Sequence, residues 1–253
     1  GRPLLPQFLV AISLAISIIP EGLPATATII MALGVQRMAK EHALIKNLPA
    51  VETLGNATVI CSDKTGTLTL NKMTVTHLAN GDDFLNKKIL KAQKAVKNNN
   101  AYKDLMYAAS LCNDASLSPA SPEEIIGDPT EGALIPLAQD FGYSVSSLRK
   151  EYPRLGEYPF DSIRKRMSTI HEINNEYVAY IKGALDELLP LCDSIATSNG
   201  VQKLTKTDKE NILALSHKMS DQALRVLGFA SRTILNLPQE NENIEQHLVF
   251  LGA

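Results

Sequence analysis

Asp63, Lys64, Thr65, Gly66, Thr67, Leu68 and Thr69 follow one another directly after the apolar run Thr58-Val59-Ile60-Cys61. A carboxylate at the tip of a short buried strand can attack a phosphoryl group and form an aspartyl-phosphate. Such a transfer depends on positioning and on positive charge around the moving group more than on covalent machinery. Lys64 brings charge, and Thr65 and Thr67 bring hydroxyl donors. Gly66 lets the backbone turn tightly, so that amides can face phosphate oxygens. Mg²⁺ belongs with a carboxylate and a phosphate. Asp, Thr and Gly are also ordinary loop residues, but a capped loop does not account for this whole string.

A second chemical feature lies upstream, in Ile18-Ile19-Pro20-Glu21-Gly22-Leu23-Pro24. The 28 residues from Phe8 to Val35 contain no charge except Glu21. As one helix they would span about 42 Å, more than the roughly 30 Å hydrocarbon core of a bilayer. Pro20, Gly22 and Pro24 break that helix in its middle. Unwound carbonyls at membrane depth are tolerated only where they line a site. A lone intramembrane acid is a functional candidate by default, and carbonyls with a carboxylate form a hard-oxygen site for Ca²⁺ or another small cation. Arg37, Lys40 and Lys46 follow the apolar stretch while only Arg2 precedes it. That asymmetry places the chain from about residue 37 onward in the cytoplasm, with residues 8–35 in lipid. The competing reading is a buried helical hairpin of a soluble protein. A secretory signal fits poorly, because the basic flank is on the wrong side.

Composition narrows the classes further. The 253 residues are 45% hydrophobic and 21% charged, with a net charge of -2 and no Trp. That leaves no electrostatic footprint or stacking platform for nucleic acid. Cys61, Cys112 and Cys192 are far apart and form no CxxC pair, and the five histidines are scattered. Neither a disulfide framework nor a zinc site is expected, and a reducing compartment fits. The chain stops inside the apolar run Phe250-Leu251-Gly252-Ala253, so it reads as part of a longer protein.

The elements expected to position these groups follow from periodicity and caps. Gln36–Asn47 reads as a polar helix, Pro49–Gly55 as a short helix and Thr58–Cys61 as a buried strand ending at Asp63. Ligands of open α/β sheets bind at that edge. Met73–Leu78 reads as a strand, Lys87–Asn100 as an exposed loop or frayed helix, and Tyr102–Cys112 as a helix. The stretch from Ser116 to Glu124 is turn-rich. Thr130–Phe141 reads as a helix closed by Gly142. Tyr177–Ile181 is a strand, Ala184–Leu191 a short helix, Thr207–Met219 a helix capped by Thr207, and Val226–Ser231 a strand.

The string from Asp63 to Thr69 resembles the phosphorylation signature of the P-type ATPases, and Pro20 to Pro24 resembles the break in the fourth membrane helix of their cation pumps. Pro24 resembles the calcium-pump form. The resemblance covers essentially the whole chain. It implies a Pro-broken transmembrane helix and stalk over 1–38 and the first part of a Rossmann-like phosphorylation domain over 39–76. It further implies an inserted α+β nucleotide-binding domain with an antiparallel sheet over 77–246, and a return strand over 247–253, giving an α/β protein. In such a pump Asp63 would attack ATP, with Lys64 and Thr65 holding phosphate and Mg²⁺, and Glu21 would bind the transported ion, Ca²⁺ above others.

Four further strings match the family's nucleotide domain. Gly127–Leu134 resembles a helix start whose Glu131 lies near the adenine, although a capped N-terminus favoured by the dipole explains it equally. Tyr158–Ser168 resembles the strand pair that brings Phe160 onto the base and Lys165 to the base or the phosphates. Tyr180–Glu187 resembles the Lys-Gly-Ala motif, with Lys182 deep in the pocket and Gly183 allowing close approach. Leu185 stands where the family commonly has proline. Leu224–Arg232 places Arg225 where the family has an arginine facing the phosphates. Taken singly, a core Phe and surface charges explain these residues as well.

The family's Gly-Asp-Gly-x-Asn-Asp motif, its Thr-Gly-Glu loop and its later membrane helices have no counterpart in these residues. The fragment alone is therefore expected to bind ATP or ADP without turnover, its partners being the remaining actuator, phosphorylation and membrane segments. Three alternatives stay open: a sodium/potassium-type pump, a non-transporting nucleotide-binding module, and a phosphatase with the same nucleophile. Such phosphatases carry a second aspartate two residues on, where this chain has Thr65.

Overall fold

Two helices meet at Pro20. The computed structural model describes residues 3–20, 22–81, 84–86, 100–121, 124–238 and 243–253. These form two compact units, 1–68 and 69–253.

In the first unit, α1 (Leu4–Ile18) and α2 (Gly22–Lys40) form the stretch that is long and apolar enough to cross a membrane, with none of it buried. Pro20 has no N–H to continue α1, whereas Pro24 sits in the first turn of α2, where no donor is lost. The Thr26 and Thr28 hydroxyls donate to the carbonyls of Gly22 and Pro24, each at 2.8 Å. Glu21 lies outside the described residues. The expected polar helix at Gln36–Asn47 is instead the end of α2, which stops at Lys40 and turns at His42 with φ +61°. Helix α3 (Pro49–Gly55) has the expected bounds.

The expected strand at Thr58–Cys61 does not form. Val59 and Ile60 are 76% and 88% exposed, and no strand among the described residues pairs with them. A strand's N–H and C=O groups need a neighbouring ladder, and with none alongside, the Rossmann-like layer is not seen. Lys64–Leu68 makes a single irregular turn, kinked at Thr65 and at Gly66 with φ +77°.

In the second unit, the strand expected at Met73–Leu78 begins only at His77. Strand β1 (His77–Ala79) pairs with β2 (Phe84–Asn86), and among the described residues no strand pairing includes 73–76. Most of the expected Lys87–Asn100 loop lies outside the described residues. Helix α4 (Asn100–Leu111) buries Leu105, Met106 and Ala109. The turn-rich stretch carries a small antiparallel pair, β3 (Ser116–Leu117) with β4 (Ile125–Ile126). The helix expected at Thr130–Phe141 is two, α5 (Pro129–Gly132) and α6 (Leu134–Asp140), closed by Gly142 with φ +89°. Helix α7 (Val145–Glu151) follows.

The main sheet contains β5 (Arg154–Asp161), β6 (Arg166–Ile173), β7 (Glu176–Gly183), β8 (Cys192–Thr197), β9 (Gly200–Lys203), β10 (Gly228–Ile234) and β11 (Leu248–Gly252). Its order is β5-β6-β7-β10-β11-β8-β9, and every pair is antiparallel except β11 with β8. The sheet is thus mixed rather than wholly antiparallel. Side chains alternate across it. Tyr180 packs with α4, α6 and α7, whereas Ala179 and Ile181 pack with the short helix α8 (Leu185–Leu188) and with α9 (Lys206–Ser220). Helix α9 is capped by Thr205, not Thr207: its hydroxyl accepts the Asp208 N–H, and Asp208 accepts the Thr205 N–H in return.

Candidate functional site

Lys182 stands near the end of β7, on the Tyr180 face, between Met167 of β6 and Phe229 of β10. It is 5% exposed. An ammonium that deep must be paired, and its Nζ lies 2.5 Å from Glu131 Oε1. The other carboxylate oxygen, Oε2, accepts the N–H groups of Asp114 at 2.7 Å and Ala115 at 3.2 Å.

Glu131 is set by the start of α5. Asp128 accepts the Thr130 and Glu131 N–H groups, and Pro129 takes the first helical position. Burial pushes the Asp128 carboxyl up, but its hydrogen bonds to Thr130 and Glu131, with Arg225 nearby, outweigh that and hold it below the usual range. The cap and the ion pair therefore coexist. Asn113 Nδ2 donates to the Ala109 and Glu131 carbonyls, each at 3.0 Å. Arg149 donates to the carbonyls of Ser110, Asn113 and Ala115 at 3.1, 2.6 and 2.9 Å. Sequence reasoning missed Asn113 and Arg149, because a side chain that grips distant carbonyls leaves no local pattern.

Arg225 reaches the same helix start and donates to Thr130 Oγ1 at 2.8 Å. Both line a cavity of about 180 Å³, together with Met73, Ala109, Met219 and Val226. Glu131, Lys182 and Arg225 therefore converge on α5.

Phe160 and Lys165 lie on the β5–β6 hairpin, which the sequence anticipated as a strand pair. Phe160 is 64% exposed, so its ring face is available. Lys165 is paired with Glu187 of α8 at 3.0 Å, and that pair raises its pKa. Gly183 also makes room within the sheet. A Cβ there would lie 2.6 Å from Arg166 Cβ and 2.7 Å from the Lys165 carbonyl oxygen, so the close approach it permits is that of strand β6.

In the first unit Asp63 is exposed, and its Oδ1 accepts the Lys64 N–H at 2.7 Å. The residues from Lys64 to Thr69 are exposed as well. Among the described residues, no group of three or more His, Cys, Asp and Glu gathers in a way that could hold a metal ion.

Residues 101–253 match the family described as "P-type ATPase, cytoplasmic domain N". The chain is 44% identical over 251 residues to "Calcium-transporting ATPase 1" of Bacillus cereus, covering 99% of this chain and 27% of that protein. It is 41% identical over 262 residues to the Lactococcus lactis protein of the same name, covering all of this chain and 28% of the relative. "Calcium-transporting ATPase 1" of Saccharomyces cerevisiae is 38% identical over 269 residues, with 28% of its length covered. The chain thus spans under a third of the length of these relatives.

Proposed function

The chain belongs to the P-type ATPases, and from that membership we propose that it is the part of an ATP-driven cation pump that carries the phosphorylated aspartate and the nucleotide pocket. The observation that carries this reading is Asp63 at the head of the string from Asp63 to Thr69, exposed and followed by a turn at Gly66 with φ +77°. A carboxylate oxygen of Asp63 bonds to the γ-phosphorus of ATP, the bond to the bridging oxygen breaks, and ADP leaves with that electron pair. Lys64 offsets charge on the transferred group, and the Thr65 hydroxyl donates to it.

Mg²⁺ fits this donor set. One carboxylate and one hydroxyl match an ion usually held by one or two protein groups beside substrate phosphates. When bound, it offsets phosphate charge.

In the second unit, Phe160 stacks on the adenine, Lys165 exchanges Glu187 for the nucleotide, Arg225 faces the phosphates, and the Lys182–Glu131 pair forms the polar floor of the pocket. Burial of that pair and the exposure of the Phe160 ring support these roles. By itself the chain binds ATP without turning it over.

The transported ion is Ca²⁺, a reading supported by the relatives' names and by Pro24. Residues 8–35 lie in the bilayer, residues from about 37 onward face the cytoplasm, and Glu21 binds the ion.

The test is labelling of the complete pump with γ-labelled ATP. A label stable in acid, released by hydroxylamine and absent from Asp63→Asn is expected. A label of the same size in Asp63→Asn would sink the assignment.

A further inference from the structure

One buried carboxylate binds both neighbours of Lys165. Glu245 is 5% exposed and lies just before β11. Its Oε1 accepts from Arg164 Nη1 at 2.5 Å and from the Ser168 hydroxyl at 2.6 Å, and its Oε2 accepts from Arg166 Nε at 2.6 Å. The network continues into the hairpin. Arg164 Nη2 donates to the Pro159 carbonyl at 2.7 Å, immediately before Phe160, and Arg166 Nη1 donates to the Arg164 carbonyl at 3.0 Å. Asn243 Oδ1 in turn accepts the Glu245 N–H at 3.0 Å.

These contacts concern orientation more than formation of the turn. The turn has its own bonds: Asp161 Oδ1 accepts the Ile163 and Arg164 N–H groups at 2.7 and 3.0 Å, and the Asp161 carbonyl accepts the Lys165 N–H at 2.6 Å. Lys165 is nonetheless held at φ +50°, a conformation that persists only where its surroundings impose it. Two guanidinium groups so close together repel unless an anion lies between them. A cavity of about 310 Å³ opens beside the network, lined by Tyr158, Pro159, Arg164, Arg166, Asn243 and Glu245. The tip therefore has room to shift if the carboxylate lets go.

We propose that Glu245 is a positioning residue of the nucleotide site, clamping Arg164 and Arg166 so that Phe160 and Lys165 are presented at fixed places. This rests on the reading of Phe160 and Lys165 as nucleotide contacts. Burial alone would raise the Glu245 carboxyl, but the hydrogen bonds from Arg164, Ser168 and Arg166 outweigh it and keep the group ionised. A fully satisfied charge network of this kind fixes geometry.

The test titrates the 253-residue chain with MgATP in four forms: unaltered, Glu245→Gln, Phe160→Ala, and both changes together. The charge removed is buried and doubly paired, so binding on the order of tenfold weaker is expected for Glu245→Gln, while the chain stays folded by circular dichroism. Because Glu245 acts through Phe160 as well as Lys165, adding Glu245→Gln to Phe160→Ala should weaken binding by clearly less than the roughly tenfold seen in the unaltered background. A merely structural carboxylate would weaken binding by the same factor in both backgrounds, and that outcome overturns the proposal. So does unchanged affinity in folded Glu245→Gln. If Glu245→Gln does not fold, Arg164→Gln, whose side chain is 30% exposed, carries the same comparison. If the unaltered chain fails to bind MgATP, or Phe160→Ala binds as well as it does, the nucleotide reading itself fails and the clamp falls with it.

Discussion

Replacing Lys182 by methionine removes the ammonium from a pair whose side chains are 6% and 16% exposed. Breaking such a buried pair from one side leaves an uncompensated charge, at a cost of about 3–5 kcal/mol. Here the orphan is Glu131, and its Oε2 still accepts two backbone N–H groups, which puts the expected loss near the lower end, about 3 kcal/mol. Glu131→Gln strands the deeper partner, and a loss of about 4 kcal/mol is expected. The two losses are not independent, because either change removes the same attraction. The double variant should lose about 4 kcal/mol, well short of the sum. Urea unfolding of the four proteins, followed by circular dichroism at neutral pH, closes the cycle. Additivity within about 0.5 kcal/mol would refute the pairing.

Three smaller effects follow from local geometry. Gly183→Ala brings a Cβ to 2.6 Å from Arg166 Cβ, and the strand shift this forces should cost about 1–3 kcal/mol in the same unfolding assay. Thr205→Ala removes the hydroxyl half of the capping box and should cost about 1 kcal/mol, whereas Thr207→Ala should change little. Burial holds His171 below its ordinary value of 6.5, against backbone hydrogen bonds to Tyr152 and Pro153 that act the other way. A histidine kept neutral by the fold contributes stability that is present above its unfolded value and is lost as pH falls through the lower folded value. Unfolding free energy should therefore decline as pH drops below 6.5, and His171→Gln should flatten that slope.

Elements fixed by local chemistry were legible in the sequence, and those fixed by distant partners were not. Pro20 had to end α1 whatever surrounded it. The β7 strand was legible at Tyr177–Ile181, whereas the β5–β6 hairpin and the place of Lys182 came from the resemblance of Tyr158–Ser168 and Tyr180–Glu187 to the family's strings. Asp128 and Pro129 announced the start of α5. The pair that Glu131 makes with Lys182 crosses 51 positions, and the Glu245–Arg164 contact crosses 81, so neither leaves a spacing to recognise. Thr58–Cys61 has strand composition but no partner alongside, and composition cannot provide one. Thr207 was expected to cap α9, but Thr205 with Asp208 does so, and two threonines so close together are not told apart by residue type alone. Gly183 also makes room for Arg166 and the Lys165 carbonyl, a demand set by chain well away in sequence and so not legible locally.

The most direct test of the nucleotide pocket is calorimetric titration of the chain with ATP, repeated with Phe160→Ala and Lys182→Ala. Measurable binding by the unaltered chain, clearly weakened in both variants, is the expected result. Absent binding, or binding indifferent to both changes, would contradict the pocket and leave the pump assignment resting on family membership and the string at Asp63.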